Sequence, residues 1–315
     1  MYSGRPVIQY TRTGSVPIRH PELHQQMPSL EYSEPPLKAS AQSLIDRLRT
    51  YGSVAVAFSG GVDSAVVAKA AVVALGDRAV AVTAVSPSLA SSELQIARRE
   101  AMLIGIRHVE FQTWEFDRPE YRRNAGDRCF FCKDTLYELT WSRLPDLGVE
   151  VIVNGANTDD LGDHRPGMQA AVDHKIRSPL IEEGLNKAAV RELARYWNLS
   201  VAEKPALPCL SSRIAYGVEV TEERVLRIER AEAFLKTMTG IQELRVRHEA
   251  HELARIEVPV DQVAGLLDQD LRERITKELR SLGFRFVTVD LDGFRSGSMN
   301  SVLPLVQLQI GIGGR

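Results

Sequence analysis

The sequence predicts an α/β fold. A parallel-sheet domain covers residues 38–208, a smaller α+β domain follows over 209–315, and residues 1–37 form an extended or disordered N-terminal arm. Three observations carry this reading. The run VAVAFSGGVDS at 54–64 sets a short apolar strand before a glycine corner, and an apolar stretch of helix-forming length follows. From there to residue 197, strand-like and helix-like segments alternate, which implies a parallel sheet with ligands at the carboxyl ends of its strands. After Pro205 and Pro208 the order changes to helix, strand, strand, helix, strand.

The elements follow in chain order. Residues 1–37 carry Pro6, Pro17, Pro21, Pro28, Pro35 and Pro36 with little periodicity, hence the arm; docking on a neighbouring subunit is the alternative. Leu44, Ile45 and Leu48 share one face of a helix over 37–51. A strand at 54–58 leads to a helix at 64–75. A strand at 79–85 leads to a helix at 91–104, opened by serine and Glu93. A short strand at 108–111, a helix at 132–144, a strand at 149–154 and a helix at 186–197 capped by Asn186 complete the first domain. In the second, an amphipathic helix at 222–237 precedes strands at 244–248 and 254–258, a helix at 261–282 and a strand at 284–291.

Composition narrows the function. The chain has 315 residues, 44% hydrophobic and 25% charged, so a sizeable core can form. Its 39 basic and 41 acidic residues leave a formal net charge of −2, which argues against a nucleic-acid partner. No apolar run approaches the roughly 20 residues of a membrane helix, so no membrane partner is expected. The first thirty residues lack an apolar signal core, so a cytoplasmic location is expected. Three cysteines, two of them in a Cys-x-x-Cys pair, read as metal or redox chemistry rather than a disulfide framework.

The glycine corner is built for an anion. Gly60 and Gly61 allow close backbone approach, their N–H groups point into the turn, and the next helix adds the positive end of its dipole. Ser59 and Ser64 supply hydroxyls, Val62 lies within the same nucleotide-binding run, and Asp63 can cap the helix or hold Mg²⁺. The Gly-Lys-[Ser/Thr] ending of a Walker loop is absent. The run is similar instead to the SGG-x-DS signature of the PP-loop ATP pyrophosphatases, whose adenine nucleotide α-hydrolase-like domains cleave ATP between the α- and β-phosphates.

Other motifs converge on the same sheet edge. NGANTDDLGDHRPG at 154–167 follows a strand; Gly155 allows backbone approach to a nucleotide, Asp160 and Asp163 suit Mg²⁺ or capping, and Arg165 suits a phosphate or carboxylate. An Asx-rich loop that merely turns is the alternative, and His164 has no assigned role. Cys129 and Cys132 open a helix beside Arg128 and Lys133, and Cys209 lies at the domain junction. A structural zinc site takes four ligands; three thiolates would instead leave one iron of a [4Fe–4S] cluster open. Unconnected cysteines packed as small hydrophobes are the alternative. Arg245 and Arg247 share one strand face and suit a phosphate, unless that face is solvated. Glu229, Glu232, Asp290 and Arg295 are polar candidates for the same cleft.

From about residue 40 to 300 the chain resembles the ATP-dependent sacrificial sulfur transferase family of lactate-racemase maturation. The resemblance rests on SGGVDS (59–64), RCFFCK (128–133), NGANTDDLGDHRPG (154–167), RSPL (177–180), KPALPCLSSR (204–213), RVRH (245–248), ARIEV (254–258) and DLDGFRSGSMN (290–300). It implies a PP-loop domain using ATP and Mg²⁺, a smaller domain that assembles trimers or hexamers, and pyridinium-3,5-biscarboxylic acid mononucleotide as the small-molecule substrate. Its carboxylates would be adenylated and become thiocarboxylates on the way to the nickel-pincer nucleotide. Cys209 matches the sulfur-bearing cysteine, which in one branch gives up its own sulfur. In another branch three cysteines, here Cys129, Cys132 and Cys209, hold a [4Fe–4S] cluster with a consumable sulfide. Arg165, Arg213, Arg245 and Arg247 are then the expected grips for substrate phosphate and carboxylate. A tRNA thiolase on a PP-loop and a nucleotide-binding iron–sulfur sensor without turnover are the competing readings.

Overall fold

The computed structural model describes residues 34–162 and 166–295. Residues 1–33 of the arm expected over 1–37, Asp163, His164, Arg165 and the end of the 290–300 motif lie outside the described residues, and residues 34–37, expected in the arm, belong to a helix instead.

Helix α1 (Glu34–Arg49) leads to strand β1 (Val54–Ala57), the glycine corner and helix α2 (Val62–Leu75). Then come β2 (Ala79–Val85), α3 (Ser91–Ile104), β3 (Arg107–Gln112), the single turn α4 (Pro119–Arg122) and α5 (Arg128–Leu147). Strand β4 (Val151–Val153), α6 (Pro166–Asp173), α7 (Pro179–Glu182) and α8 (Lys187–Tyr196) follow. The four strands form a parallel sheet in the order β3-β2-β1-β4. Because β1 has a strand on each side and helices on both faces, Val54, Ala55 and Val56 are fully buried, and the strand reads as a continuous apolar run.

Helix α2 is apolar on every side because it lies in the middle of a helical layer. Leu44 and Leu48 of α1, Ala97 and Ala101 of α3, and Val190 and Leu193 of α8 pack with it into one core. The opposite face of the sheet is covered by Leu136, Tyr137 and Leu144 of α5 and Ala170 and Ala171 of α6.

The rest of the chain comprises α9 (Glu222–Thr239), β5 (Arg245–Glu249), β6 (Leu253–Glu257), α10 (Gln269–Ser281) and β7 (Phe286–Val289). Strands β5 and β6 pair antiparallel and β6 and β7 parallel, with α9 and α10 supplying Leu235, Ile275 and Leu279 to a separate core. A fourth apolar cluster joins the two sheets. Tyr121 packs there with Leu210, Ile214, Val220, Val225 and Ile228, and with Phe116 and Phe131 at its margin.

Three helix starts differ from the sequence expectation by three residues or more. Helix α1 begins three residues earlier than expected, at Glu34. The expected helix over 261–282 breaks into two 3₁₀ turns, and α10 starts only where the Asp268 carboxylate accepts the Leu271 N–H (3.1 Å). Helix α5 starts at Arg128, which puts Cys129 in its first turn and Cys132 at the start of its second.

Candidate active site

The carboxyl ends of β1 and β4 lie side by side, since Val56 pairs with Val153. The glycine corner and the 154–160 loop therefore meet. Gly60 has φ +68°, and a Cβ there would come within 2.7 Å of the Ala97 Cα, so glycine is required both for conformation and for the approach of α3. Gly61 is the N-cap of α2. The Ser59 N–H donates to Ser64 Oγ (3.2 Å), the Gly61 N–H to Ser59 Oγ (3.3 Å), and Ser64 Oγ to the Gly61 carbonyl (3.1 Å). These long bonds hold the corner in shape.

Gly155 touches the corner directly. A Cβ on it would fall 2.8 Å from the Ser64 N and 3.0 Å from the Asp63 carbonyl carbon, so its place is filled by the first turn of α2. Asp63 accepts from Asn157 Nδ2 (3.2 Å) and pairs with Lys187 Nζ (2.5 Å), the first residue of α8. Asp160 is buried and accepts the Asn157 N–H (3.0 Å), so it shapes the loop, and its link to Asp63 runs through Asn157.

Two lysines that sequence reasoning did not place reach this corner. Besides Lys187, Lys204 Nζ donates to the Gly60 carbonyl (3.3 Å) and pairs with Glu93 Oε2 (2.7 Å) on α3. The backbone around Lys204 is held by Arg191, whose guanidinium donates to the Ala202 and Lys204 carbonyls (2.5 and 3.1 Å). The available signal for Lys204 was its place at the head of KPALPC. For Lys187 there was none, because its reach depends on how α8 packs.

Cys129 and Cys209 are exposed and Cys132 is half-buried. Burial pushes the Cys132 thiol far up from its ordinary range; Glu115, Cys209 and Cys129 push the same way and Lys133 opposes them. Burial also opposes the Arg128 and Lys133 cations, but Cys209 and Cys129 help hold both up, together with Tyr121 and Tyr216 at Arg128 and Tyr137 and Cys132 at Lys133. The three thiols thus share one electrostatic neighbourhood with two cations. Among the described residues no group of three or more Cys, His, Asp and Glu residues is placed to hold a metal ion. Under the cysteines lies a triangle of hydroxyls. Ser88 Oγ, after β2, meets Tyr121 Oη (2.5 Å) and Ser211 Oγ (2.6 Å), and Tyr121 meets Ser211 (2.9 Å). With the Leu210 N–H donating to the Ser88 carbonyl (2.9 Å), these bonds dock the residues that follow Cys209 on the sheet edge.

The arginines are buried, which removes the solvated-face alternative for β5. Arg213, Arg245 and Arg247 are 4%, 4% and 6% exposed. Arg213 pairs with Glu232 (3.1 Å) and donates to the carbonyls of Pro208 and of Cys209 (2.9 Å), so it holds the loop that carries Cys209. Arg247 pairs with Glu257 (2.7 Å) and donates to the Ser212 carbonyl (3.2 Å). Arg245 donates to the Leu244 carbonyl (2.7 Å) and stacks on Phe294 at 5.0 Å. Burial first, and then Arg213 and Arg247, lower its pKa, with Glu232 opposing. Glu229 accepts the Ser91 N–H (2.7 Å) at the start of α3. Asp290 pairs with Arg255 (2.6 Å), and Arg295 is an exposed partner of Asp292 (2.9 Å). These last three carry structural bonds.

No helix among the described residues is long and apolar enough to cross a membrane. Residues 38–125 match the asparagine synthase family model. An uncharacterized protein of Synechocystis is 44% identical over 248 residues, 79% of this chain and 92% of its own length. The pyridinium-3,5-bisthiocarboxylic acid mononucleotide synthase of Lactiplantibacillus plantarum is 34% identical over 278 residues, 86% of this chain and 98% of that enzyme. An uncharacterized Methanocaldococcus jannaschii protein is 30% identical over 175 residues, 55% of this chain and 66% of its own length. With a glycine corner of the PP-loop type at its sheet edge and this likeness along its length, the chain belongs to the LarE family of ATP-dependent sulfurtransferases.

Proposed function

We propose that this protein adenylates the carboxylates of pyridinium-3,5-biscarboxylic acid mononucleotide and replaces oxygen with sulfur, toward the nickel-pincer nucleotide. One observation carries the reading: a single stretch, 204–213, runs from the glycine corner to the buried arginines, with Cys209 between them. Its ends are anchored at sites suited to two different phosphates.

In this reading the Ser59 and Gly61 N–H groups and the positive end of α2 take the β- and γ-phosphates, exchanging the long serine bonds for charge-assisted ones. Lys187 and Lys204 offset the charge of departing pyrophosphate. Asp63, with Asp160 behind it, would hold Mg²⁺, which screens the phosphates from the substrate carboxylate. Arg245, a buried cation for which no ion pair stands among the described residues, takes the substrate phosphate, flanked by Arg247 and Arg213. Arg165 is proposed for the same anion.

Adenylation converts a carboxylate oxygen into the leaving group AMP. If Cys209 is the donor, its sulfur forms the C–S bond as the C–O bond to AMP breaks. Loss of the Cys209 Cα proton to base with cleavage of its Cβ–S bond then leaves a thiocarboxylate and dehydroalanine. Alternatively Cys129, Cys132 and Cys209 would hold a [4Fe–4S] cluster, which would supply an open iron for a transferable sulfide. The 38–208 and 209–315 segments act as nucleotide and substrate domains of a cytoplasmic homo-oligomer, a trimer or hexamer.

The test is anaerobic incubation with ATP, Mg²⁺ and the pyridinium mononucleotide. AMP and pyrophosphate should appear in equal amounts, with a substrate mass gain of one oxygen-for-sulfur exchange. Cys209→Ala should keep AMP formation and lose the mass gain. Failure of the wild-type protein to split ATP in this way rejects the proposal, and loss of both steps in the variant makes Cys209 structural.

A further inference from the structure

Residues 205–209 form an exposed strap between two pins. All five are exposed and none lies in a helix or strand, whereas Ala202 on one side and Leu210 on the other are buried. At the first pin, Arg191 grips the Ala202 and Lys204 carbonyls, and the Lys204 ammonium sits between Glu93 and the Gly60 carbonyl. At the second, Arg213 grips the Pro208 and Cys209 carbonyls and Ser88 accepts the Leu210 N–H. Pro205 and Pro208 restrict φ within the strap, and each also restricts the residue before it. Five residues span at most about 18 Å of extended chain and two of the five are prolines, so a displacement at Lys204 is passed toward Cys209 through a short segment with few free torsions.

We infer that Lys204 is a positioning residue that couples nucleotide occupancy of the glycine corner to the placement of Cys209. The inference rests on the ATP-binding reading above. The Lys204 side chain is mostly buried, 12% exposed, and its ammonium is held by one carboxylate and one carbonyl of the corner itself. Phosphate arriving at Gly60 and Gly61 offers that ammonium a second and more highly charged partner. The strap then draws in toward the corner, and the carrier of the sulfur is ordered only when an acyl adenylate can form. The hydroxyls of Ser88, Tyr121 and Ser211 keep the far pin fixed, so the movement falls on 205–209.

Amide hydrogen exchange of the 203–210 peptide tests this, with exchange in β1 and β2 as the internal reference. The full chain is compared with and without saturating α,β-methylene-ATP, whose binding is measured separately by equilibrium dialysis. The analogue should slow exchange at Ala206, Leu207 and Cys209 at least about fivefold, the lower end of common site-to-site coupling. In Lys204→Met the slowing should fall below about twofold at nucleotide saturation, exchange without nucleotide should be faster than in wild type, and Lys204→Arg should restore part of the coupling. Full slowing in Lys204→Met overturns the inference, as does a wild-type strap indifferent to nucleotide that dialysis shows to be bound. Absence of binding in wild type rejects the ATP reading instead; unchanged strap exchange in nucleotide-free Lys204→Met would then still overturn the anchor. Should Lys204→Met not fold, Glu93→Gln loosens the same pin without touching the lysine. It too should speed exchange of the nucleotide-free strap, and no change overturns the inference.

Discussion

Replacing Gly60 by alanine separates two costs that the glycine corner avoids. The first is conformational: φ is +68°, and a left-handed backbone costs an L-residue about 1–2 kcal/mol. The second is spatial: the new methyl would lie 2.7 Å from the Ala97 Cα and 2.9 Å from its N, both backbone atoms of α3. Overpacking of that kind costs about 1–3 kcal/mol, for a total of about 2–5 kcal/mol. Gly105 supplies the control. It caps α3 at φ +79°, and a Cβ there would meet nothing within 4 Å, so Gly105→Ala carries only the first cost. At about 2–4 °C per kcal/mol, Gly60→Ala should melt about 2–12 °C below Gly105→Ala in thermal unfolding followed by circular dichroism. It should also lose ATP binding by equilibrium dialysis, because α3 and the corner can no longer sit together, whereas Gly105→Ala keeps it. Indistinguishable melting of the two variants, or undiminished ATP binding by Gly60→Ala, would refute the argument that the close approach of α3 sets the corner.

Two further outcomes follow from buried charge. Glu232→Ala strips Arg213 of its carboxylate partner in a pair whose side chains are 5% and 6% exposed, and also leaves the Val246 N–H without its acceptor. Urea denaturation should show a loss of about 3–5 kcal/mol, and a loss near zero would mean that the pair is dispensable. Stability should also fall as the solution is acidified below pH 6.5. Burial is the main cause lowering the pKa of both His108 and His248 from 6.5, so below that pH the unfolded chain binds more protons than the folded one. His248, fully buried against Arg227 and Glu252, should dominate. Its replacement by glutamine should flatten the urea-midpoint profile between pH 6.5 and 5; a slope equal to that of the unaltered protein would count against this origin.

What could be read from the sequence was whatever apolar periodicity or local turn chemistry encodes. Strand β2 matches its expected bounds, 79–85, because seven apolar or β-branched residues sit between a polar turn and a serine. The glycine corner was legible because its two glycines and its hydroxyls act within six residues. Helices α4, α6 and α7 were not expected; each begins with proline, a first-turn signal too weak in so short an element. The arginines illustrate the harder limit. Period two put Arg245 and Arg247 on one face, but only the packing of α9 and the 210–213 turn shows that this face is buried and that Arg213 holds the backbone of Cys209. Lys187 is the extreme case, since a residue 124 positions from Asp63 becomes its partner through tertiary structure alone.

The apolar cluster between the two sheets has a mechanical consequence. Tyr121 from the first half of the molecule is wedged against Val220, Val225 and Ile228 from the second, and the segment that carries Cys209 is rooted in the same cluster through Leu210 and Ile214. Such a greasy seam welds the halves instead of hinging them, because opening it would wet six buried side chains at once. A thiol mounted there changes position by flexing a handful of backbone bonds, while the two lobes stay together.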